Sequence, residues 1–317
     1  MVDVVGLLLI IFGLSLFEII TSIDNAVINA EVLSTMSQRA RRWFLIWGIL
    51  IAVFLVRGLL PWFIVWATNF ELGPIGAFTA TFSNDPEVIE SIEMSKPILL
   101  MGGGVFLFLV FLHWLFLEPK HFGLRGERFF HRYGLWFFAV ASVFLVGITW
   151  LGIKRDPLIA FSAVVGSSAF FITHGFKENA EQAEKNLMHG GSNLSDWSKI
   201  LYLEVIDASF SIDGVLGAFA FTLSIPLILL GNGIGAITLR QLTISNIDRI
   251  KKYKYLKNGA MYSILFLGII MMSDSFGAHI PHWLSPLVTF GTVGYFLWKS
   301  VKENKMEEQA IKEERKK

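Results

Sequence analysis

Cysteine is absent from the 317 residues, which excludes disulfides, thiolate metal ligands and cysteine nucleophiles. Charge is scarce: 17% of residues are charged, against roughly 25% in ordinary soluble domains. The formal net charge of +1 leaves no basic excess to recruit nucleic acid. Neither His-Glu-x-x-His nor Gly-x-Ser-x-Gly occurs, and no Gly-Lys-[Ser/Thr] follows Gly102-Gly103-Gly104. Zinc-protease, serine-hydrolase and phosphate-loop chemistry therefore have no foothold. The glycine triplet suits close helix packing instead.

Hydrophobic residues fill the space that charge leaves. They make up 54% of the chain, with 29 Phe and 10 Trp. A membrane span needs about 20 mainly apolar residues, and the sequence offers nine candidates: 4–34, 43–67, 97–117, 134–153, 157–176, 200–222, 225–246, 259–278 and 283–299. Pro97, Pro157 and Pro226 are expected near helix starts, where proline is tolerated. The start, Met1-Val2-Asp3-Val4-Val5, lacks the positive region of a signal peptide, so the first stretch reads as a retained span.

Basic residues alternate between loops. Arg39, Arg41 and Arg42 fill the first, Lys120, Arg125, Arg128 and Arg132 the third, and Lys177, Lys185 and Lys199 the fifth. The seventh carries Arg249, Lys251, Lys252, Lys254 and Lys257, while the intervening loops are poor in Lys and Arg. The segment 68–96 is acidic. This pattern predicts a multi-pass protein of the cell (inner) membrane, N-terminus outside and C-terminus cytoplasmic. The stretch 177–199 reads as a cytoplasmic amphipathic helix, and the charged tail 300–317 as a solvated helix or disorder. The expected class is all-α, with 1–299 a single transmembrane domain.

Two segments resemble each other. Phe17-Glu18-Ile19-Ile20-Thr21-Ser22-Ile23-Asp24-Asn25 and Asp207-Ala208-Ser209-Phe210-Ser211-Ile212-Asp213-Gly214 both read acid-x5-Asp, and Ser-Ile-Asp is shared. Each is followed by a span with one arginine, Arg57 or Arg240. The two copies sit in the first and sixth spans and so run oppositely through the bilayer. This predicts an inverted three-helix repeat, spans 1–3 (about 4–117) and 6–8 (about 200–278), with 134–176 linking them and 283–299 last.

Five carboxylates fall inside these spans: Glu18, Asp24, Glu204, Asp207 and Asp213. Unpaired, they cost together on the order of 12–17 kcal/mol on insertion scales. Arg57 and Arg240 balance two of them, and the rest need protons, water or a cation. Six residues turn a helix by about 600° and rise roughly 9 Å, so neither Glu18 and Asp24 nor Asp207 and Asp213 meet on an unbroken helix. Either the chain unwinds near Ser22–Asn25 and Ser211–Gly214, or ligands pair between the two helices. The expected metal site is Glu18, Asp24, Asp207 and Asp213, with Asn25 adding a neutral oxygen and Glu204 gating the cytoplasmic side. Such oxygens suit hard cations, Mn²⁺, Ca²⁺ or Mg²⁺, and protons released on binding are a natural coupling ion. His174, close to Glu178, reads as a hydrogen-bonded side chain, and His113, His279 and His282 as interfacial.

Glu18-x5-Asp24-Asn25 and Glu204-x2-Asp207-x5-Asp213, each followed by a one-arginine helix, resemble the TerC family within the LysE-like transporters. The resemblance covers about 4–60 and 200–272. Gly214 stands where many members have serine, and 68–96 and the fourth and fifth spans look branch-specific. The resemblance implies a transporter exporting divalent metal ions, above all Mn²⁺, with the ion as cargo and no resident cofactor. The alternatives are transport of Ca²⁺, Na⁺ or a basic amino acid, or a membrane-embedded metal-dependent hydrolase. The last would need a water-activating His pair beside the carboxylates, so the chain is not expected to be an enzyme.

Overall fold

The computed structural model describes residues 4–23, 26, 32–33, 36–48, 51, 57–68, 70–79, 86–120, 122–189 and 195–314. Within these, the side chains of 45, 68, 78–79, 86–89, 91–92, 179–189, 202, 205–206, 208–211, 242–251, 308, 310–312 and 314 are not described. The described residues are helical, with no strand among them. In chain order the helices are α1 (Val4–Thr21), α2 (Gln38–Trp43), α3 (Arg57–Thr68), α4 (Gly73–Thr79), α5 (Pro86–Leu117) and α6 (Arg125–Arg132). They continue as α7 (Trp136–Arg155), α8 (Pro157–His189), α9 (Asp196–Ala218), α10 (Ile225–Lys251), α11 (Leu256–Ser275) and α12 (Leu284–Glu314).

Among the described residues five helices are long and apolar enough to cross a bilayer: Val4–Thr21, Glu93–Leu117, Trp136–Arg155, Pro157–Glu178 and Leu256–Ser275. They match the first, third, fourth, fifth and eighth of the nine expected spans. The other four are less distinct. The expected span 43–67 lies partly outside the described residues, and Glu204, Asp207 and Asp213 interrupt the apolar run of α9. The protein is thus a multi-pass, all-helical membrane protein.

Helix α5 is the hub, with 72% of its spanning window buried, against 17% for α7. The glycine triplet explains how α5 admits its neighbours. A Cβ on Gly103 would lie 2.5 Å from Met271 Cε, and one on Gly104 would lie 2.9 Å from the Gly268 carbonyl of α11. On α7, Val143, Val146 and Trp150 are exposed, as a lipid-facing helix requires.

Several local expectations change. Pro97 lies inside α5 rather than at its start, because the helix begins eleven residues earlier at Pro86. The acidic segment 68–96 is therefore not a simple loop: it holds a 3₁₀ turn (Phe70–Leu72), α4 and the first turns of α5. The stretch after 176 prolongs α8 to His189. The charged tail prolongs α12 and is clamped to the turn before α11. There Asn304 Nδ2 donates to the Lys252 carbonyl at 2.9 Å, the Tyr255 hydroxyl donates to Glu303 at 2.8 Å, and Lys254 pairs with Glu307. Burial and that Glu303 contact push the Tyr255 hydroxyl up to about 12.

Candidate functional site

Helix α1 ends at Thr21, and the chain bends at Ser22, whose carbonyl accepts the Ala26 N–H at 2.9 Å. Glu18 sits in the last turn and is 1% exposed. Around it three helices pack closely. A Cβ on Gly217 of α9 would meet Phe17 at 2.3 Å, and one on Gly214 would lie 3.0 Å from Glu18 Oε2. Phe221, in the turn just past the end of α9, reaches back to Gly13. The contacts descend α1 as they ascend α9, so the two helices pack antiparallel. On α10 the order is reversed: Gly231 lies against Leu14, and Gly235 against Ser15 and Glu18. Helices α1 and α10 therefore run parallel.

The carboxylates divide into two charge centres. Arg57, the first residue of α3, is 2% exposed. It bonds Glu18 Oε1 at 2.5 Å, and its other terminal nitrogen lies 3.7 Å from Asp207 Oδ2. The Ser22 hydroxyl donates to the same Glu18 oxygen at 2.9 Å. A planar guanidinium with two terminal nitrogens can bridge carboxylates from two helices at once, and here it ties α1 to α9. In the second centre Asp213 is held by Lys177 Nζ at 2.5 Å. Lys177 was counted among loop charges from the sequence; it belongs to α8, with a side chain 17% exposed. It is a third internal cation beside the two arginines.

Glu204 and Arg240 form the periphery of this arrangement. The π-helical turn Phe44–Gly48 passes Glu204 so closely that a Cβ on Gly48 would fall 2.2 Å from Glu204 Oε1. Glycine there makes the notch that the carboxylate occupies. Arg240 lays its guanidinium over the Phe44 ring at 4.1 Å and interacts electrostatically with Asp207 and Glu204. Asp24 and Asn25 lie outside the described residues. The unwinding expected at Ser211–Gly214 does not occur, since α9 is continuous from Asp196 to Ala218. Pairing between helices, by Arg57 and Lys177, takes its place.

Glu18 Oε2, Glu204 Oε1 and Asp213 Oδ1 are buried and have no hydrogen-bond partner among the described residues. Such oxygens retain lone pairs that a cation or proton can use. Among the described residues, however, no three His, Asp or Glu side chains converge to hold a metal ion. The carboxylates face basic side chains instead.

Sequence reasoning missed three polar features. Glu127 of α6 is 1% exposed and accepts from the Leu124 N–H at 2.9 Å and the Asn258 amide at 2.7 Å. Lys96 and Asp274 pair at 3.2 Å between α5 and α11, beside a small cavity of about 30 Å³ that His282 and Ser285 also line. His113 lies on α5 against His174 of α8, ring centroids 3.9 Å apart; the contact of His174 with Glu178 at 3.3 Å, by contrast, is the one expected from the sequence. No local motif marks these residues, because their partners lie on other helices or across a turn.

Comparison with known proteins agrees with a membrane chain. The uncharacterized membrane protein YceF of Bacillus subtilis (strain 168) is 24% identical over 161 residues, 51% of this chain and 60% of that protein. The match thus spans less than two thirds of that relative's length. No solved structure matches. A family model described as "Protein of unknown function (DUF475)" matches residues 23–307, nearly the whole chain, and the protein belongs to that family.

Proposed function

We propose that this protein is a divalent-cation transporter that exports Mn²⁺ in exchange for protons, using carboxylates that α1 and α9 bring together inside the membrane. The observation that carries this reading is the Glu18–Arg57–Asp207 bridge, charged groups buried between spanning helices. Charges in that position are expensive and usually mark ion pathways. The oxygen-only donor set and the absence of thiolates favour hard cations over soft ones. The resemblance of Glu18-x5-Asp24-Asn25 and Glu204-x2-Asp207-x5-Asp213 to the TerC pattern points the same way.

The mechanism follows from competition for the carboxylates. Arg57 and Lys177 occupy positive positions beside Glu18, Asp207 and Asp213. An arriving Mn²⁺ gains those oxygens as the basic side chains withdraw, with Asp24 and Asn25 completing its shell. Return of the two cations, or protonation of the carboxylates, then expels the metal. A carboxylate that binds the metal must be deprotonated, which couples metal release to proton uptake.

Purified protein in liposomes, assayed in parallel with Mn²⁺, Ca²⁺ and Mg²⁺ under an imposed proton gradient, tests this directly. Saturable Mn²⁺ movement accompanied by opposite proton movement is expected. Flux of only Na⁺ or a basic amino acid, or no flux at all, would replace the reading. For orientation, a reporter after Lys317 should read cytoplasmic and one near Ser83 outside; both on one side would overturn the proposed topology.

A further inference from the structure

Asn232 is fully buried at 0% exposure, and neither its amide nitrogen nor its amide oxygen has a hydrogen-bond partner among the described residues. It lies on the buried face of α10 with Ile228, Gly231 and Gly235. Leaving a carboxamide dry and unpaired is unfavourable, because neither its donor nor its acceptor replaces the hydrogen bonds lost with water. An apolar side chain of similar size would avoid that penalty. The neighbouring polar group on α1 offers no relief, since the Ser15 hydroxyl is directed to the carbonyls of Ile11 and Gly231 at 2.8 and 2.9 Å.

Position gives the amide a use. Gly235, one turn along α10, packs so tightly on α1 that a Cβ there would lie 2.7 Å from Glu18 Cβ. Residues three apart share a helix face, and the rise between them is about 4.5 Å. Asn232 thus lies about one helical turn from the level at which Glu18 packs on α10, toward the N-terminal end of that helix. We propose that Asn232 is a cation-binding station next to the carboxylate centre. Its oxygen replaces one water of a hard divalent ion, and its N–H₂ donates to a water the ion retains. A neutral ligand suits a transit position, because it strips hydration without holding the ion as a carboxylate does.

This rests on the transport reading, and the test separates the two. Full-length Asn232→Leu and Asn232→Ala proteins are reconstituted for Mn²⁺ flux, and their thermal unfolding is followed in detergent. Asn232→Leu is expected to unfold no earlier than the parent while the Mn²⁺ concentration for half-maximal flux rises at least tenfold. Asn232→Ala should show the same rise, and Asn232→Ser, which keeps an oxygen, a smaller one. Parental flux in Asn232→Leu, or in Asn232→Ala should leucine not fold, would overturn the station. So would failure of both to fold, which would make the amide a structural contact. If the parent itself moves no divalent cation, the transport reading falls and this inference with it.

Discussion

Glu18 and Glu127 are both buried to 1% exposure, and each keeps one carboxylate oxygen without a partner among the described residues. Their surroundings solve the same problem in opposite ways. Glu127, on the short helix α6 outside the spans, is held by neutral donors, a backbone N–H and the Asn258 amide. These donors face its charge, and through Asn258 it fastens α6 to α11. Glu18, inside the membrane, is held by a cation from another helix, which also reaches Asp207. A charge held by a cation from another helix can exchange that cation for another; one held by neutral N–H groups has none to exchange. Burial alone therefore does not separate the two carboxylates, whereas the nature of the partner does, and the proposed transport role is assigned on that difference.

The sharpest break between the two is transport. Glu18→Gln and Asp213→Asn are each expected to reduce Mn²⁺ flux by roughly 10–100-fold, the scale on which losing a metal-site partner acts. Folded yield should change little, and Glu127→Gln should transport like the parent. Equal flux in all three proteins would erase the distinction. Stability sharpens it next. Arg57→Ala takes the cation from buried Glu18 and one of the cations facing Asp207, and should lower unfolding stability by about 3–5 kcal/mol. Arg57→Lys should recover only part of that, because one ammonium does not reproduce the two-pronged contact. Thermal unfolding in detergent reads both.

Glu127→Ala should be milder, about 1–3 kcal/mol for the stranded Leu124 N–H and Asn258 amide, again with Mn²⁺ flux intact. The smallest effect belongs to the tail clamp. The Tyr255 hydroxyl titrates above its ordinary value of 10, at about 12. Its contribution is therefore complete below pH 10 and is lost as pH rises through 12. Loosening of the tail from the turn before α11, followed by protease sensitivity after Lys299, should appear only in that alkaline window in the parent, whereas Tyr255→Phe, which lacks the contact at every pH, should be loosened throughout with no such pH step.

Long apolar runs in a chain this poor in charge already point to a membrane environment and to helices, whose backbone polar groups are satisfied within each span. The sequence by itself also singled out Glu18, Arg57, Asp207 and Asp213, because a charge inside an apolar run is conspicuous one residue at a time. Tertiary structure alone decided which charges meet. Lys177, 36 residues from Asp213, looks like a loop lysine until α8 brings it against α9. Pro97 looks like a helix start until α5 extends past it. Asn232 and Gly48 carry no signal in sequence, because an orphaned amide or a notch for a carboxylate exists only once neighbouring helices close around it. Hydropathy is a property of successive residues and is written along the chain, whereas charge compensation is a property of pairs and is fixed only by packing.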